Sequence, residues 1–517
     1  MWSDRNALAA AFVIAMALPV SAQAPMSAIE WLDRSDSLTA LIPPKPSPLN
    51  EPPTTARADV PQVDVRPLDQ IGDGPVGLIP ASVTGLPVDL WQGSDSDSLL
   101  RLLSRLDLES MPAMQSLLYS LLLAEARPIE GEGNEPVLLL ARIDALIALG
   151  AVDPALALVD HAGAESHPEL FKRYFDLSVL AGSEGDSCAR MVHRPDLAPD
   201  FAARIYCLAR MGDWNAAMVT YSTMHALGEF DARTATLLEL FLQPELIEDI
   251  PPLAPPARVT PLIFRLQEAI GQPLATATLP RAYAISDLRN VSGWKAELEA
   301  VERLARTGAL SESRLLAVYT DRRPAASGGI WDRVAAVQAF DAAMQNGNPA
   351  AIADTVTAAW AAMREAGLQV PFARLYGAAL SRLVLPSRPA QRTAFRIAML
   401  SPAYEAAAAR MPPLDREEAF LATLARGQVQ PEMAYSANAR AVAGAFVAGA
   451  SPDPAPGAMI AQKRLGELIL QAMELYARAA EGEVKDAARA LTTLRAVGLE
   501  DSARRAALQL LILDRRG

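Results

Sequence analysis

Residues 293–306 read GWKAELEAVERLAR. Trp294, Leu298, Val301 and Ala305 recur at spacings of three and four, which is the period of one face of an α-helix. Glu299 with Arg303, and Glu302 with Arg306, stand four apart on the opposite face, where each pair is expected to form an ion pair. The stretches 98–108, 113–126 and 136–149 carry apolar residues at the same period. A helix with one apolar stripe and one charged face has to bury the stripe against another element. Repeated along the chain, this pattern predicts an all-α fold.

The ends of these stretches share a second pattern. Leu146, Gly150 and Ala155 are spaced as Leu208, Gly212 and Ala217, and as Leu494, Gly498 and Ala503. Looser versions fall at Leu304/Gly308, Met363/Gly367 and Met224/Gly228. The spacing predicts a helix closed by a left-handed glycine, a tight turn, and a second helix whose small residue permits close backbone approach. At these residues the chain resembles tetratricopeptide-like proteins, and Ala209–Met218 (ARMGDWNAAM) looks like the turn between the paired helices of such a repeat. The resemblance implies an irregular helical-hairpin, TPR-like α-solenoid that binds proteins or peptides on a concave face.

At the N-terminus, a short polar start with Arg5 precedes the apolar run Ala7–Leu18, then Pro19 and the small-residue stretch 20–24. This order is that of a secretory signal peptide, and the run is shorter than the roughly 20 residues that span a bilayer. Cleavage between Ala22 and Gln23 is expected, because cleavage after Ala24 would place Pro25 next to the scissile bond. The chain therefore reads as exported to the periplasm of a Gram-negative bacterium, with no stable transmembrane anchor after cleavage. Eleven prolines fall between Pro43 and Pro87. Residues 23–95 are accordingly expected to form a Pro-rich, extended and largely disordered arm. Two islands interrupt it. Ile29, Trp31 and Leu32 form a helical turn that either docks into a partner groove or packs back on the body. Residues 76–91 read as a loop or short strand laid over the first helices.

Further proline clusters divide the rest. A first helical block is expected at 96–243, a linker at 244–261 with six prolines, and a second block at 262–450. A short linker at 451–457 precedes final helices at 458–517, expected to cap the array. Lys and Arg number 47 against 60 Asp and Glu, a net charge of −13, which argues against nucleic acid as a partner.

There are two cysteines, Cys188 and Cys207, on either side of an expected helix–turn–helix around Arg194-Pro195-Asp196. They are read as a disulfide suited to an oxidising compartment. Two buried thiols, or a zinc site with His161, His167, His193 and His225, are the alternatives, although the spacings match no zinc-ligand pattern.

Motifs that carry chemistry are scarce. G-x-S-x-G, G-x4-G-K-[ST] and H-E-x-x-H do not occur. Gly72, Gly74 and Gly77 spell G-x-G-x-x-G, but in a Pro-rich segment without the strand and helix that dinucleotide binding needs. Glu109-Ser110 is followed by Met-Pro-Ala-Met-Gln and lacks the GLMQ-like stretch of lytic transglycosylases. Glu417 and Glu418 read as a solvated face. Ser327, Gly328 and Gly329 could make an anion-binding nest before a helix, with an Asp- or Ser-capped turn as the plainer reading. No cofactor, metal or catalytic residue is assigned. The expected function is a non-catalytic periplasmic scaffold or adaptor for a protein or peptide partner. The alternatives are an envelope enzyme, marked by a polar cleft with convergent carboxylates, and a carrier, marked by a closed apolar cavity.

Overall fold

Helix after helix ends where the sequence places a glycine. The computed structural model describes residues 74–131, 135–249, 251–452 and 456–513. In chain order the main helices are α1 (Ser96–Arg105), α2 (Pro112–Leu123), α3 (Val137–Leu149), α4 (Val152–His161), α5 (Pro168–Ala181), α6 (Gly185–His193), α7 (Phe201–Arg210) and α8 (Trp214–Ala226). They continue with α9 (Ala232–Leu242), α10 (Pro261–Ala269), α11 (Trp294–Ala305), α12 (Glu312–Asp321), α13 (Ile330–Asn346), α14 (Pro349–Glu365) and α15 (Gln369–Leu380). The last are α16 (Arg388–Met399), α17 (Tyr404–Arg410), α18 (Arg416–Ala425), α19 (Ala437–Phe446), α20 (Leu465–Glu481), α21 (Val484–Ala496) and α22 (Glu500–Ile512). Single turns and 3-10 segments connect them, and no strand beyond two isolated bridges occurs among the described residues. None of the described helices is long and apolar enough to cross a membrane.

The Leu–Gly–Ala spacing has a direct structural counterpart. Gly150, Gly212 and Gly498 have φ of 83°, 90° and 85°. In each turn the amide after the glycine donates to the carbonyl of the pattern leucine: Ala151 to Leu146, Asp213 to Leu208, Leu499 to Leu494, each at 2.9 Å. This is the Schellman closure, and it satisfies carbonyls that a helix end otherwise leaves open. Ala155, Ala217 and Ala503 are fully buried, as close helix contact requires. At Gly150 an added Cβ would meet Leu304 Cδ2 at 2.7 Å, so both the backbone and the neighbour demand glycine.

Successive helices pack as hairpins: α3 on α4, α7 on α8, α13 on α14, α15 on α16, α20 on α21. The two ends of the described chain also meet. α20 packs on α1 and α2, and α22 packs on α2. Gly466 donates its amide to the Leu90 carbonyl at 2.9 Å, and the Ala113 amide donates to Gln509 Oε1 at 2.8 Å. The buried Trp91 ring lies where a side chain at Gly466 would stand, 2.4 Å from an added Cβ. Thus the stretch 74–95, expected within the extended arm, is packed into the body; the apolar island 76–91 does lie on the first helices. Val76 pairs with Ala126 and Ile79 with Ala124. The final described helix, α22, has α2 as a neighbour.

Buried apolar residues form two main cores whose limits ignore the proline clusters. One runs from Leu86 to Tyr283 and resumes from Phe395 to Leu510; the other lies between Trp294 and Leu400. Leu242 and Leu262, on either side of the 244–261 segment, belong to the same core. That segment is strapped to the body by donors and acceptors outside it. Leu253 N donates to Gln272 Oε1, Arg233 Nη2 to the Ala254 carbonyl, and Tyr283 Oη to the Val259 carbonyl, at 2.8, 2.7 and 2.8 Å.

On α11 the apolar stripe is as read, with Trp294, Leu298, Val301 and Ala305 all buried. The charged face is not. Glu299 pairs with Lys295 at 3.6 Å. Arg303 instead donates to the carbonyls of Thr276 and Leu279. Glu302 does pair with Arg306 but is itself buried.

Cys188 on α6 and Cys207 on α7 are joined, with an S–S distance of 2.05 Å and both side chains buried. With the cysteines bonded to each other across 19 positions, the chain-entropy term is about 3 kcal/mol. Reduction under native conditions is expected to lower stability by that amount, read as a drop in the urea midpoint that a Cys188→Ala/Cys207→Ala variant reproduces without reductant.

Candidate functional site

Three helix starts and a proline strap surround a cleft of about 530 Å³. Each start is built by its own cap. Asp200 accepts from the Ala203 amide at 2.7 Å, Asp231 from the Arg233 and Thr234 amides at 3.0 and 3.1 Å, and Thr260 from the Ile263 amide at 3.2 Å. These caps open α7, α9 and α10, and all three residues line the cleft. From α5 come Lys172, Phe175 and Asp176; from the strap, Pro256 and Arg258; from α10, Leu262, Ile263 and Leu266.

The carboxylates differ in what they are committed to. The Thr234 hydroxyl and amide hold the Asp231 carboxyl below the usual carboxylate range. Asp200 spends one oxygen on its cap. Asp176 accepts no hydrogen bond from any described residue, and burial pushes its pKa up to about 6, with Lys172 opposing and Asp200 reinforcing the rise. Arg233 is divided in a similar way. Nη2 serves the strap through Ala254, while Nη1 is shielded from solvent and has no partner. Burial also raises the Tyr283 phenol, with Asp176 adding to it, so the hydroxyl that holds Val259 stays neutral.

A carboxyl raised in this way binds its proton more tightly folded than unfolded. Its contribution is fully present below about pH 4 and is lost as pH rises through about 6. Asp176→Asn is therefore expected to raise stability at neutral pH by about 3 kcal/mol and to change little near pH 4. Thermal melts of both proteins across that range check it; an equal shift at both ends would contradict it.

The outer surface of the α7–α8 hairpin exposes large apolar side chains, those on α8 among neutral polar ones. Phe201, Met211, Trp214, Val219 and Leu227 are exposed, Val219 and Leu227 at 67% each. The α8 sequence, WNAAMVTYSTMHA, contains no Asp, Glu, Lys or Arg, and only Ala217 and Tyr221 are buried in it. Trp214 leans on Phe241 at 5.7 Å between ring centres, which fixes it in the surface.

A second cleft, about 610 Å³, is lined by Phe446, Arg495 and Glu500. Its cation is already engaged: Arg495 lies 4.7 Å over the Phe446 ring, pairs with Glu500 at 2.7 Å, and donates to the Ala445 carbonyl.

The residues expected from sequence are placed as follows. Ala22, Gln23, Ile29, Trp31 and Leu32 lie outside the described residues. In the 327–329 loop, Gly328 and Gly329 have positive φ, but the Gly328 amide donates to Asp332 Oδ1 at 2.9 Å, so the chain's own carboxylate fills the place of an anion. Among the histidines, His167 caps α5 through the Glu169 amide and stands 3.2 Å from Glu135, and His225 stacks on Tyr221. The Asp176 cleft was not expected at all: its caps look like ordinary helix starts and its strap like a linker.

No family model matches the chain, and neither a curated protein nor a solved structure matches it.

Proposed function

We propose that this chain is a non-catalytic helical scaffold that holds a protein partner in the cell envelope. In this reading the hairpins form an irregular TPR-like array, and the leader at 1–22 directs the chain to the periplasm. The buried Cys188–Cys207 pair suits an oxidising compartment. The observation that carries the proposal is the uncharged outer face of α8, with Trp214, Val219 and Leu227 exposed in a protein that is 21% charged. Aromatic and aliphatic anchors on such a face are what a partner buries at the centre of an interface. A catalytic reading would draw on the Asp176 cleft, yet two of its three carboxylates are engaged in helix caps, which leaves no pair of free carboxylates for acid–base work. Both clefts carry charged walls, which argues against a carrier of apolar cargo.

In-cell crosslinking tests the proposal. A Trp214→Glu/Val219→Glu variant is expected to lose partner capture, weakened by roughly 30-fold or more, while its circular dichroism and melting stay unchanged. Deletion of residues 23–42 tests the arm separately. Capture lost only on that deletion moves the contact to the Trp31 turn, and capture unaffected by both changes overturns the scaffold reading.

A further inference from the structure

Asp176 and Arg233, of opposite sign, line the 530 Å³ cleft, and among the described residues neither the Asp176 carboxylate nor the solvent-shielded Nη1 of Arg233 has a hydrogen-bond partner. They come from α5 and α9, and α10 packs against both of these helices. Leu262, Ile263 and Leu266 of α10 give the cleft an apolar wall. We infer that this cleft is a binding site for a small zwitterion, an α-amino acid or short peptide with free ends, whose ammonium meets Asp176, whose carboxylate meets Arg233, and whose side chain lies on the α10 wall.

The choice of a zwitterion follows from charge. An anion alone would satisfy Arg233 and add repulsion at Asp176; a cation alone would do the reverse beside Lys172 and Arg258. A ligand with both signs satisfies both groups and brings no net charge into a partly desolvated space. Among the described residues Asp176 is the cleft carboxylate without a hydrogen bond, and Lys172 and Arg258 stand open beside Arg233. Asp200, Asp231 and Thr260 are spent on caps, and the second Arg233 nitrogen on the strap. Burial holds the Asp176 pKa near 6, a cost that the ammonium of a ligand would remove. The cleft volume lies in the range of small-ligand sites. This inference is independent of the scaffold reading, since it concerns a different surface.

Calorimetric titration of the full exported chain with L-leucine and with the tripeptide Ala-Leu-Ala tests it, at neutral pH. Binding of at least one is expected, and the tighter of the two names the source of the ligand. Acetylating the amino end of that ligand, and separately amidating its carboxyl end, should each weaken binding by about tenfold or more, the worth of one charge-assisted hydrogen bond. Asp176→Asn should remove the penalty for acetylation, and Arg233→Gln the penalty for amidation. The ligand-side changes need no variant to fold, so they decide the matter even if Arg233→Gln loosens the strap. No binding of either probe at millimolar concentration, or binding indifferent to both blocked ends, overturns the inference.

Discussion

Glu302→Leu is expected to cost about 4 kcal/mol of stability, because it removes the buried acceptor on which three donors converge, the buried Tyr319 and the partly exposed Arg333 and Arg306. The Glu302 side chain is 3% exposed. Its Oε1 accepts from Tyr319 Oη at 2.6 Å and from Arg333 Nε at 2.8 Å, and Oε2 from Nη2 of Arg333 and of Arg306, each at 3.2 Å. Burial keeps the Tyr319 phenol neutral and therefore a donor. Without the carboxylate, two guanidinium groups keep their desolvation and lose their anion. Denaturant unfolding should show a lower midpoint with an unchanged slope. Glu302→Gln, which still accepts but carries no charge, should lose about half as much. The companion experiment is the combined Glu302→Leu/Tyr319→Phe/Arg333→Met variant. Removing the two more buried donors together with their acceptor, and leaving the half-exposed Arg306, is expected to restore much of the loss, since the penalty lies in the groups left unpaired. If Glu302→Leu alone is as stable as the parent, the cluster contributes nothing. The same chemistry recurs at the start of α6, where buried Glu184 takes Tyr206 Oη at 2.8 Å, Arg210 at 3.1 Å and Arg265 at 3.4 Å.

These clusters show where reading the sequence stops. Periodicity identifies helices because the apolar stripe is a local property, and the leucine–glycine spacing identifies their ends because a Schellman turn is local as well. Glu302 looks exposed for the same reason: four residues from Arg306, it has the pattern of a surface pair, and nothing local reveals that Tyr319 and Arg333 cover it. Glu418 repeats the lesson. Read as part of a solvated face, it is buried and accepts the Leu414 amide at 2.7 Å. Proline content misleads in another way. It correctly excludes helix at 251–260, but an extended chain can still be fixed by side chains from elsewhere, as Gln272, Arg233 and Tyr283 do here. The candidate cleft was hidden by both effects. Asp176, within the run Lys172–Leu180, resembles any solvent-facing position until the strap and α10 close over it. The caps Asp200, Asp231 and Thr260 open separate helices, and their convergence on one space is a tertiary fact.

Arg142→Met is expected to cost about 4 kcal/mol and to release the first described segment from the body. The side chain is 1% exposed and pairs with no carboxylate; it holds three backbone carbonyls. Nε donates to Leu122 at 2.8 Å, Nη1 to Val76 at 2.9 Å and Nη2 to Ala124 at 2.6 Å. Burial lowers its pKa to about 10, so it is still charged at neutral pH, and each bond is charge-assisted. Methionine fills the space but takes this donor from the Leu122 and Ala124 carbonyls, at about 1–3 kcal/mol each and partly offset by the relief of a buried charge, while the Val76 carbonyl keeps the Ala126 amide. Lysine should rescue little, because one ammonium cannot replace a planar fork that spans three acceptors. The loss should be local before it is global. The Val76 amide bonds to Ala126 and the Leu78 amide to Leu123, each at 2.8 Å, and hydrogen exchange at both should accelerate more than at amides of α13 or α14. The effect should then pass along the segment. Arg127 N donates to the Val88 carbonyl at 2.8 Å, and two residues further on the Leu90 carbonyl receives Gly466 of α20. A side chain on α3 thereby supports the contact between the first described segment and α20. Accelerated exchange at Gly466 in the variant is the expected sign of that coupling; unchanged protection there, with Val76 exposed, would confine Arg142 to the role of a local clamp.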